Sequence, residues 1–406
     1  MKVLQTLGKY ELVEKIGAGG MAEVYRARLQ GIEGFQKECV VKKILPGYAR
    51  NMSFIRMLVD EAKLTSVLQH PNIVQIFELG SQENVFYMAM EFVEGKDLLK
   101  ILARSAELKT RPPVEIICYI IAEVCKGLHY AHNAQDINGQ PLNIIHRDVS
   151  PSNIIVSRSG HVKIMDFGVA KARTQDGSGS RHVLRGKLGY MSPEQVRAEE
   201  IDHRSDIFSL GVVFSEAITL KRLFLGRTDL ETLINIRDAN IDKKLSRYSF
   251  IPEGLAAILK KALAKERDGR YPSAEALQEA IDDFLYQSRH RVRSQDLESF
   301  LVELFGDQLD VHGVDEKAPG AATGSGVGSR EGNEAPSTFG SPTNVAVKTF
   351  GAKPSMPEEE DLILDDVPEI EVTPAEPRAP EPPAAARPAA GTSRPTPPRP
   401  PQGPPA

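Results

Sequence analysis

The chain has 406 residues, 41% of them apolar and 26% charged, with a net charge of −5. That length suits one large domain or two ordinary ones, and the charge balance speaks against a nucleic-acid binder. Three cysteines, Cys39, Cys118 and Cys125, have neither metal-ligand nor redox spacing, which fits reduced thiols. The N-terminus lacks the apolar run of a signal peptide, and no stretch of about 18 apolar residues is present to span a membrane. The expected location is cytoplasmic.

Residues 1–9 read as a lead. Strand character begins at 10–16 and 24–29, on either side of a Gly-rich turn, and returns in the β-branched run 38–45. A helix is expected over 52–68, where Phe54, Leu58, Ala62 and Leu68 are among the apolar positions. Strands follow at 74–79 and 85–92. From 97 onward helices dominate, at 97–104, 114–132, 205–219, 229–235, 252–264 and 273–286. Short strands at 154–156 and 162–164 interrupt them. One more amphipathic helix, 295–309, falls in an appended segment 287–312. The fold class is therefore α+β, with a small β-rich lobe over 10–92, a larger helical lobe over 93–286, and a cleft between them.

Composition shifts near residue 312. Of 28 prolines, 19 lie at or after Pro319, and Gly, Ala, Ser and Thr fill most of the remainder. Such a segment has too little apolar surface to offset its ordering entropy, so 313–406 reads as a disordered tail. One island, Glu358–Val372, mixes acids with aliphatics. It reads either as a solvated acidic stretch or as a docking motif for an adaptor.

The first motif that carries chemistry is Ile16-Gly17-Ala18-Gly19-Gly20-Met21-Ala22-Glu23-Val24-Tyr25. Glycines let a strand-turn-strand backbone approach phosphates and aim N–H groups at them. Alone, such a run is often only a hairpin turn. Cys39-Val40-Val41-Lys42 then puts an ammonium on a nearby strand, within reach of the α- and β-phosphates. Glu61, on the following helix, could hold that lysine in place.

Residues 10–286 resemble the protein-kinase family, and the basic pair before Ile44-Leu45-Pro46 resembles its bacterial, eukaryotic-like (Hanks-type) serine/threonine members. Ala22 stands where the family usually has a third glycine. Of the adjoining lysines, Lys42 is taken as the phosphate residue and Lys43 as pointing away. The resemblance implies ATP contacts from Ile16, Gly17, Ala18, Gly19, Gly20, Met21, Ala22, Val24, Lys42 and Glu61. It further implies Met90 as gatekeeper, backbone bonds from Glu91 and Val93 to adenine, and Asp97 on the ribose. In His146-Arg147-Asp148-Val149-Ser150-Pro151-Ser152-Asn153, Asp148 would take or orient the proton of the substrate hydroxyl. Asn153, with Asp166 of Asp166-Phe167-Gly168, would hold Mg²⁺, with Mn²⁺ as an alternative ion. Glu194, in Met191-Ser192-Pro193-Glu194, would pair with Arg270, and Asp206 would brace the catalytic loop.

The chain departs from the family pattern in two ways, a missing loop cation and a changed residue at 187. Ser150 stands where serine/threonine kinases usually carry a lysine, and Ser152 where tyrosine kinases carry an arginine. Lys187 stands where a threonine is common. The resemblance makes these places neighbours, so Lys187 is expected to supply the missing cation. The alternative is an exposed residue that affects substrate choice.

Arg147 beside Asp148 implies that a phosphate on the activation segment can be received, with Thr174, Ser178 and Ser180 as candidate autophosphorylation sites. The insert 133–143 reads as lineage decoration. The implied reaction is transfer of the ATP γ-phosphate to Ser/Thr hydroxyls of protein substrates. A pseudokinase acting through its tail and a small-molecule kinase are the competing readings. Neither nucleic acid nor membrane is an expected partner, and a dimer remains open.

Overall fold

The computed structural model describes residues 2–309, except 20, 32–33, 168–186 and 307–308. A curled sheet comes first, from β1 (Gln5–Leu7), β2 (Tyr10–Ala18), β3 (Ala22–Gln30), β4 (Gln36–Ile44), β5 (Ile76–Gln82) and β6 (Val85–Glu91), in the order β1-β2-β3-β4-β6-β5. Between β4 and β5 lie α1 (Pro46–Ala49) and α2 (Met52–Ser66). Asn51 caps α2, its side chain accepting from the N–H groups of Ser53 and Phe54 at 3.0 and 3.2 Å. Ile55, Leu58 and Ala62, at helical spacing, are buried.

Strand periodicity decides which lysine enters the cleft. Cys39 and Val41 belong to one small core with Leu7, Tyr10 and Leu12, while Val40 and Ile44 belong to another with Leu58 and Ala62 of α2. Residues two apart share a face, so Lys42 lies on the α2 side and Lys43 on the other. Lys43 reaches Gln5 Oε1 at 2.8 Å. Three residues of the lead, Gln5–Leu7, are thus part of the sheet, because β1 pairs with β2 from Gln5–Leu12 to Leu7–Tyr10. Three residues carry too little pattern to announce such a strand.

The second lobe opens with β7 (Gly95–Asp97), α3 (Leu98–Glu107) and α4 (Val114–His132). β7 pairs with β8 (Ile154–Ser157), which pairs with β9 (Val162–Ile164). There follow α5 (Pro193–Val196), α6 (Arg204–Thr219), α7 (Asp229–Asp238), α8 (Ile241–Leu245), α9 (Glu253–Ala262), α10 (Ala274–Gln287) and α11 (Ser294–Phe305). Residues 205–219 of α6 are buried without a break, and α4 buries Ile116, Ile117, Ile120, Ile121, Val124 and Leu128. These two helices form the middle of the large core. The short helices α1, α5 and α8 were not expected, since four or five residues hold no readable period.

Two boundaries moved for tertiary reasons. Val74 was expected in a sheet strand, but its N–H donates to Ile164 O at 2.9 Å and so ties the stretch before β5 to the second lobe. The final helix ends at Phe305 rather than 309, and it is not a loose appendage. Leu297, Phe300, Leu301 and Leu304 are buried in the large core, and Arg104 Nε donates to Leu304 O at 3.4 Å. Gly160 makes this docking possible: at φ +73°, a β-carbon there would lie 1.9 Å from Ser294 O. Among the described residues no helix is long and apolar enough to cross a membrane.

Candidate active site

The catalytic loop is shaped from beneath by one buried carboxylate. Asp206, in the first turn of α6, accepts from the backbone N–H of His146 and of Arg147, both at 2.8 Å, and from His132 Nε2 at 2.8 Å. Burial alone would raise this carboxyl; the hydrogen bond and charge of His132 and the bond from the His146 backbone N–H outweigh it and hold the group below the usual aspartate range. The clamp helps hold Arg147 at φ +64°, a left-handed backbone that non-glycine residues seldom adopt. Burial pushes the His146 imidazole down against the pull of Asp206 and Asp148. A neutral ring suits its bonds: Nδ1 accepts from the Asp148 N–H at 3.2 Å, and Nε2 donates to Met165 O at 3.1 Å.

Above this base the polar residues meet. Asn153 Nδ2 donates to Asp148 O at 2.8 Å and to Asp148 Oδ2 at 3.1 Å, which fixes the carboxamide with its oxygen turned away from those bonds. Lys187 Nζ donates to Asp148 Oδ2 at 3.0 Å and to Asn153 Oδ1 at 3.3 Å. Across the cleft, Lys42 Nζ donates to Asp166 Oδ2 at 3.0 Å. Asp166 has φ +56°, a second strained backbone at the same site. Burial would lower the Lys42 ammonium; the charges of Asp166, Glu61 and Asp148 overcome it and hold the group above the usual lysine value. Glu61 therefore acts on Lys42 by charge, as its place on α2 suggested.

Asp166 and Asn153 offer hard oxygens, and among the described residues no group of three or more His, Cys, Asp and Glu could hold a metal by itself. That donor set fits an ion that takes its remaining ligands from phosphate and water, as Mg²⁺ does. The Gly-rich turn joins β2 to β3, with Gly19 N donating to Ala22 O at 2.8 Å and a register shift between Lys15 and Gly17. Behind the cleft, Glu61, Thr65, Val74, Ile76, Met90, Met165, Asp166 and Phe167 line a small cavity.

A protein kinase domain model matches residues 10–281. The chain belongs to the protein kinase family. Among curated relatives, this kinase is 40% identical over 306 residues to the tyrosine-protein kinase MasK of Myxococcus xanthus, covering 75% of this chain and 47% of that one. It is 35% identical over 273 residues to the serine/threonine-protein kinase PknB of Mycolicibacterium smegmatis, covering 66% and 41%. To the serine/threonine-protein kinase PrkC of Bacillus subtilis it is 29% identical over 315 residues, covering 76% and 46%. The branch is bacterial and Hanks-type, and the chain spans less than half the length of these relatives. The crystal structure of the PknI kinase domain of Mycobacterium tuberculosis shares the fold, with a TM-score of 0.52 at 23% identity over 70% of this chain and 99% of that one.

Other expected residues of the kinase fall as follows. Asp97 caps α3, accepting from Lys100 N at 2.9 Å, and pairs with the exposed Lys100 ammonium at 3.1 Å. Glu91 donates its N–H to Gln75 O at 2.8 Å, and its carboxylate meets Lys163 at 3.0 Å. Ile16, Gly17, Ala18, Met21, Ala22, Val24 and Val93 lie on or beside the loop and hinge strands. Gly20, Thr174, Ser178, Ser180 and the tail lie outside the described residues. Glu194 and Arg270 form a bidentate pair with both bonds at 2.7 Å. Sequence reasoning missed a second anchor of the activation segment: Tyr190 OH donates to Glu216 Oε2 at 2.7 Å and accepts from Arg222. The tyrosine lies three residues after Lys187, but nothing in the spacing links it to Glu216.

Proposed function

We propose that this kinase transfers the γ-phosphate of ATP to Ser and Thr hydroxyls of protein substrates, using a metal ion held by Asp166 and Asn153. The observation that carries the reading is the paired arrangement of Lys42 on Asp166 and Asn153 on Asp148, across one cleft. Lys42 meets the α- and β-phosphates and Asp148 takes the hydroxyl proton, while charge neutralisation rather than covalent chemistry lowers the barrier. Mg²⁺ is the expected ion, with Mn²⁺ as the substitute. Backbone groups of Glu91 and Val93 bind adenine, and Asp97 reaches the ribose. A scaffold role without transfer is disfavoured, because the full set of Lys42, Glu61, Asp148, Asn153 and Asp166 is present.

Arg147 is half-buried, and its Nε has no hydrogen-bond partner among the described residues. A phosphate on Thr174, Ser178 or Ser180 would supply one, so autophosphorylation belongs to the reading. The kinase acts in the cytoplasm, with the island 358–372 as a contact for an adaptor.

A second reading, transfer to tyrosine, has its own support. The Myxococcus relative carries that name, and Ser150 removes the lysine that marks the serine/threonine branch. Incubation of the full chain with γ-labelled Mg-ATP and a basic protein substrate, followed by phosphoamino-acid analysis, separates the two. Phosphoserine and phosphothreonine are expected; phosphotyrosine alone would replace the specificity, and no label would replace the activity.

A further inference from the structure

We propose that Lys187 is the catalytic cation of this kinase, delivered to the transferring phosphoryl group by the activation segment instead of the catalytic loop. The inference rests on the transfer reaction above. It starts from a charge deficit. The acceptor end of the cleft holds Asp148, whose side chain is 12% exposed, and the catalytic loop brings no cation to it through Ser150 or Ser152. Ser150 is 1% exposed, and its Oγ lies 3.1 Å from Ser152 Oγ, so these two hydroxyls bond to each other.

Lys187 fills the gap. Its ammonium lies against Asp148 Oδ2 and Asn153 Oδ1, the two groups that flank the site of transfer. An ammonium has three N–H donors. Two are used here, and the third has no partner among the described residues, which leaves it for a phosphoryl oxygen. The side chain is 37% exposed rather than sealed in the interior. Its backbone is fixed from below. Lys187 caps the short 3₁₀ turn Leu188–Tyr190, and Tyr190 is held by Glu216 and Arg222. Glu216 is 1% exposed, so this anchor is enclosed.

The step balances simply. The substrate oxygen forms a bond to the γ-phosphorus while the bond from that phosphorus to the β–γ bridging oxygen breaks, and its electron pair leaves with ADP. The hydroxyl proton passes to Asp148. Negative charge on the transferring group then meets the ammonium of Lys187. Because the cation is carried at residue 187, transfer depends on the docking of 187–194 through Tyr190, which a lysine inside the catalytic loop would not require.

The test uses the full chain and its Lys187→Ala and Lys187→Cys variants. Lys187→Ala should lower turnover at saturating ATP by about 10²–10³-fold, the scale of one lost oxyanion donor, and leave the KM for ATP within about threefold. Its affinity for ADP with aluminium fluoride, a mimic of the transferring group, should fall strongly, while its affinity for ADP alone stays unchanged. Treatment of Lys187→Cys with 2-bromoethylamine lets the thiolate displace bromide and restores an ammonium of nearly lysine length. The native Cys39, Cys118 and Cys125 are all buried, so the reagent is directed to position 187. Turnover should then recover by about tenfold or more. Near-normal turnover in Lys187→Ala overturns the proposal. So does turnover above the parent, which would make the Asp148 pair a restraint, and so does an unchanged affinity for the aluminium fluoride complex. Absence of recovery on aminoethylation overturns it as well. A parent chain that labels no substrate removes the transfer reading and this inference with it; a parent that labels substrate beside an equally active Lys187→Ala removes this inference alone.

Discussion

Two ion pairs show how differently this kinase uses the same chemistry. Arg270 and Glu194 are each fully enclosed and joined by two 2.7 Å bonds, and Arg270 also donates to the carbonyls of Ala264, Arg204 and Lys265. Lys42 and Asp166 share one 3.0 Å bond, with side chains 28% and 30% exposed. In the first pair all five Arg270 N–H donors are engaged, and Glu194 also accepts from Ser205 Oγ, so the pair ties Glu194 to the helical lobe. The second is open to water and to exchange of partners, as a site that must admit phosphate and metal requires. Enclosure with full bonding marks architecture; accessible charge on strained backbone marks chemistry.

The largest effect expected from breaking this contrast is at the enclosed pair. Arg270→Ala leaves Glu194 buried without its cation and should cost about 3–5 kcal/mol of stability, read as a lowered urea midpoint. Lys42→Ala should instead leave the midpoint nearly unchanged, within about 1 kcal/mol, because a partly exposed pair contributes little. It should lower phosphoryl transfer by about 10²–10³-fold. Lys43→Ala is the control: it loses a surface contact with Gln5 and should change neither stability beyond about 0.5 kcal/mol nor turnover.

The smallest and most discriminating effect is in pH dependence. Burial would raise Glu194, but Arg270 holds it below its ordinary value of 4.5. It therefore adds stability above that pH, and this is lost as the pH falls through the lowered folded value. Lys42 is held above its ordinary value of 10.5 against burial by Asp166 and Glu61. It adds stability below that pH, and this is lost as the pH rises through the raised folded value. Melting temperatures measured against pH should thus show a shallower acid limb in Glu194→Gln and a shallower alkaline limb in Lys42→Met. The reverse assignment would sink the contrast.

Much of the site was legible because its parts are short and ordered in sequence. The glycine turn, Lys42, Asp148, Asn153 and Asp166 each sit in a local motif, and the family resemblance chose Lys42 over Lys43, a choice the two small cores of the sheet then explain. The acidic partner of Lys42 in its hydrogen bond was not legible, since Glu61 was expected and Asp166, 124 residues away, holds that bond. Nor was the Tyr190–Glu216–Arg222 anchor, which joins residues 26 and 32 positions apart across two elements.

By itself the sequence determined the two-lobed α+β architecture, the order of the long elements and the identity of the polar residues. It could do so because apolar periodicity and motif spacing are properties of neighbours along the chain. The tertiary structure alone decided that the lead residues join the sheet through β1, that α11 is part of the large core, and that Asp97 caps α3. The resemblance had made Lys187 a neighbour of the catalytic loop, and the tertiary structure gave the contact its partner, Asp148 Oδ2 at 3.0 Å. Burial, backbone strain and contacts between distant segments arise only when the core closes, and no local pattern records them.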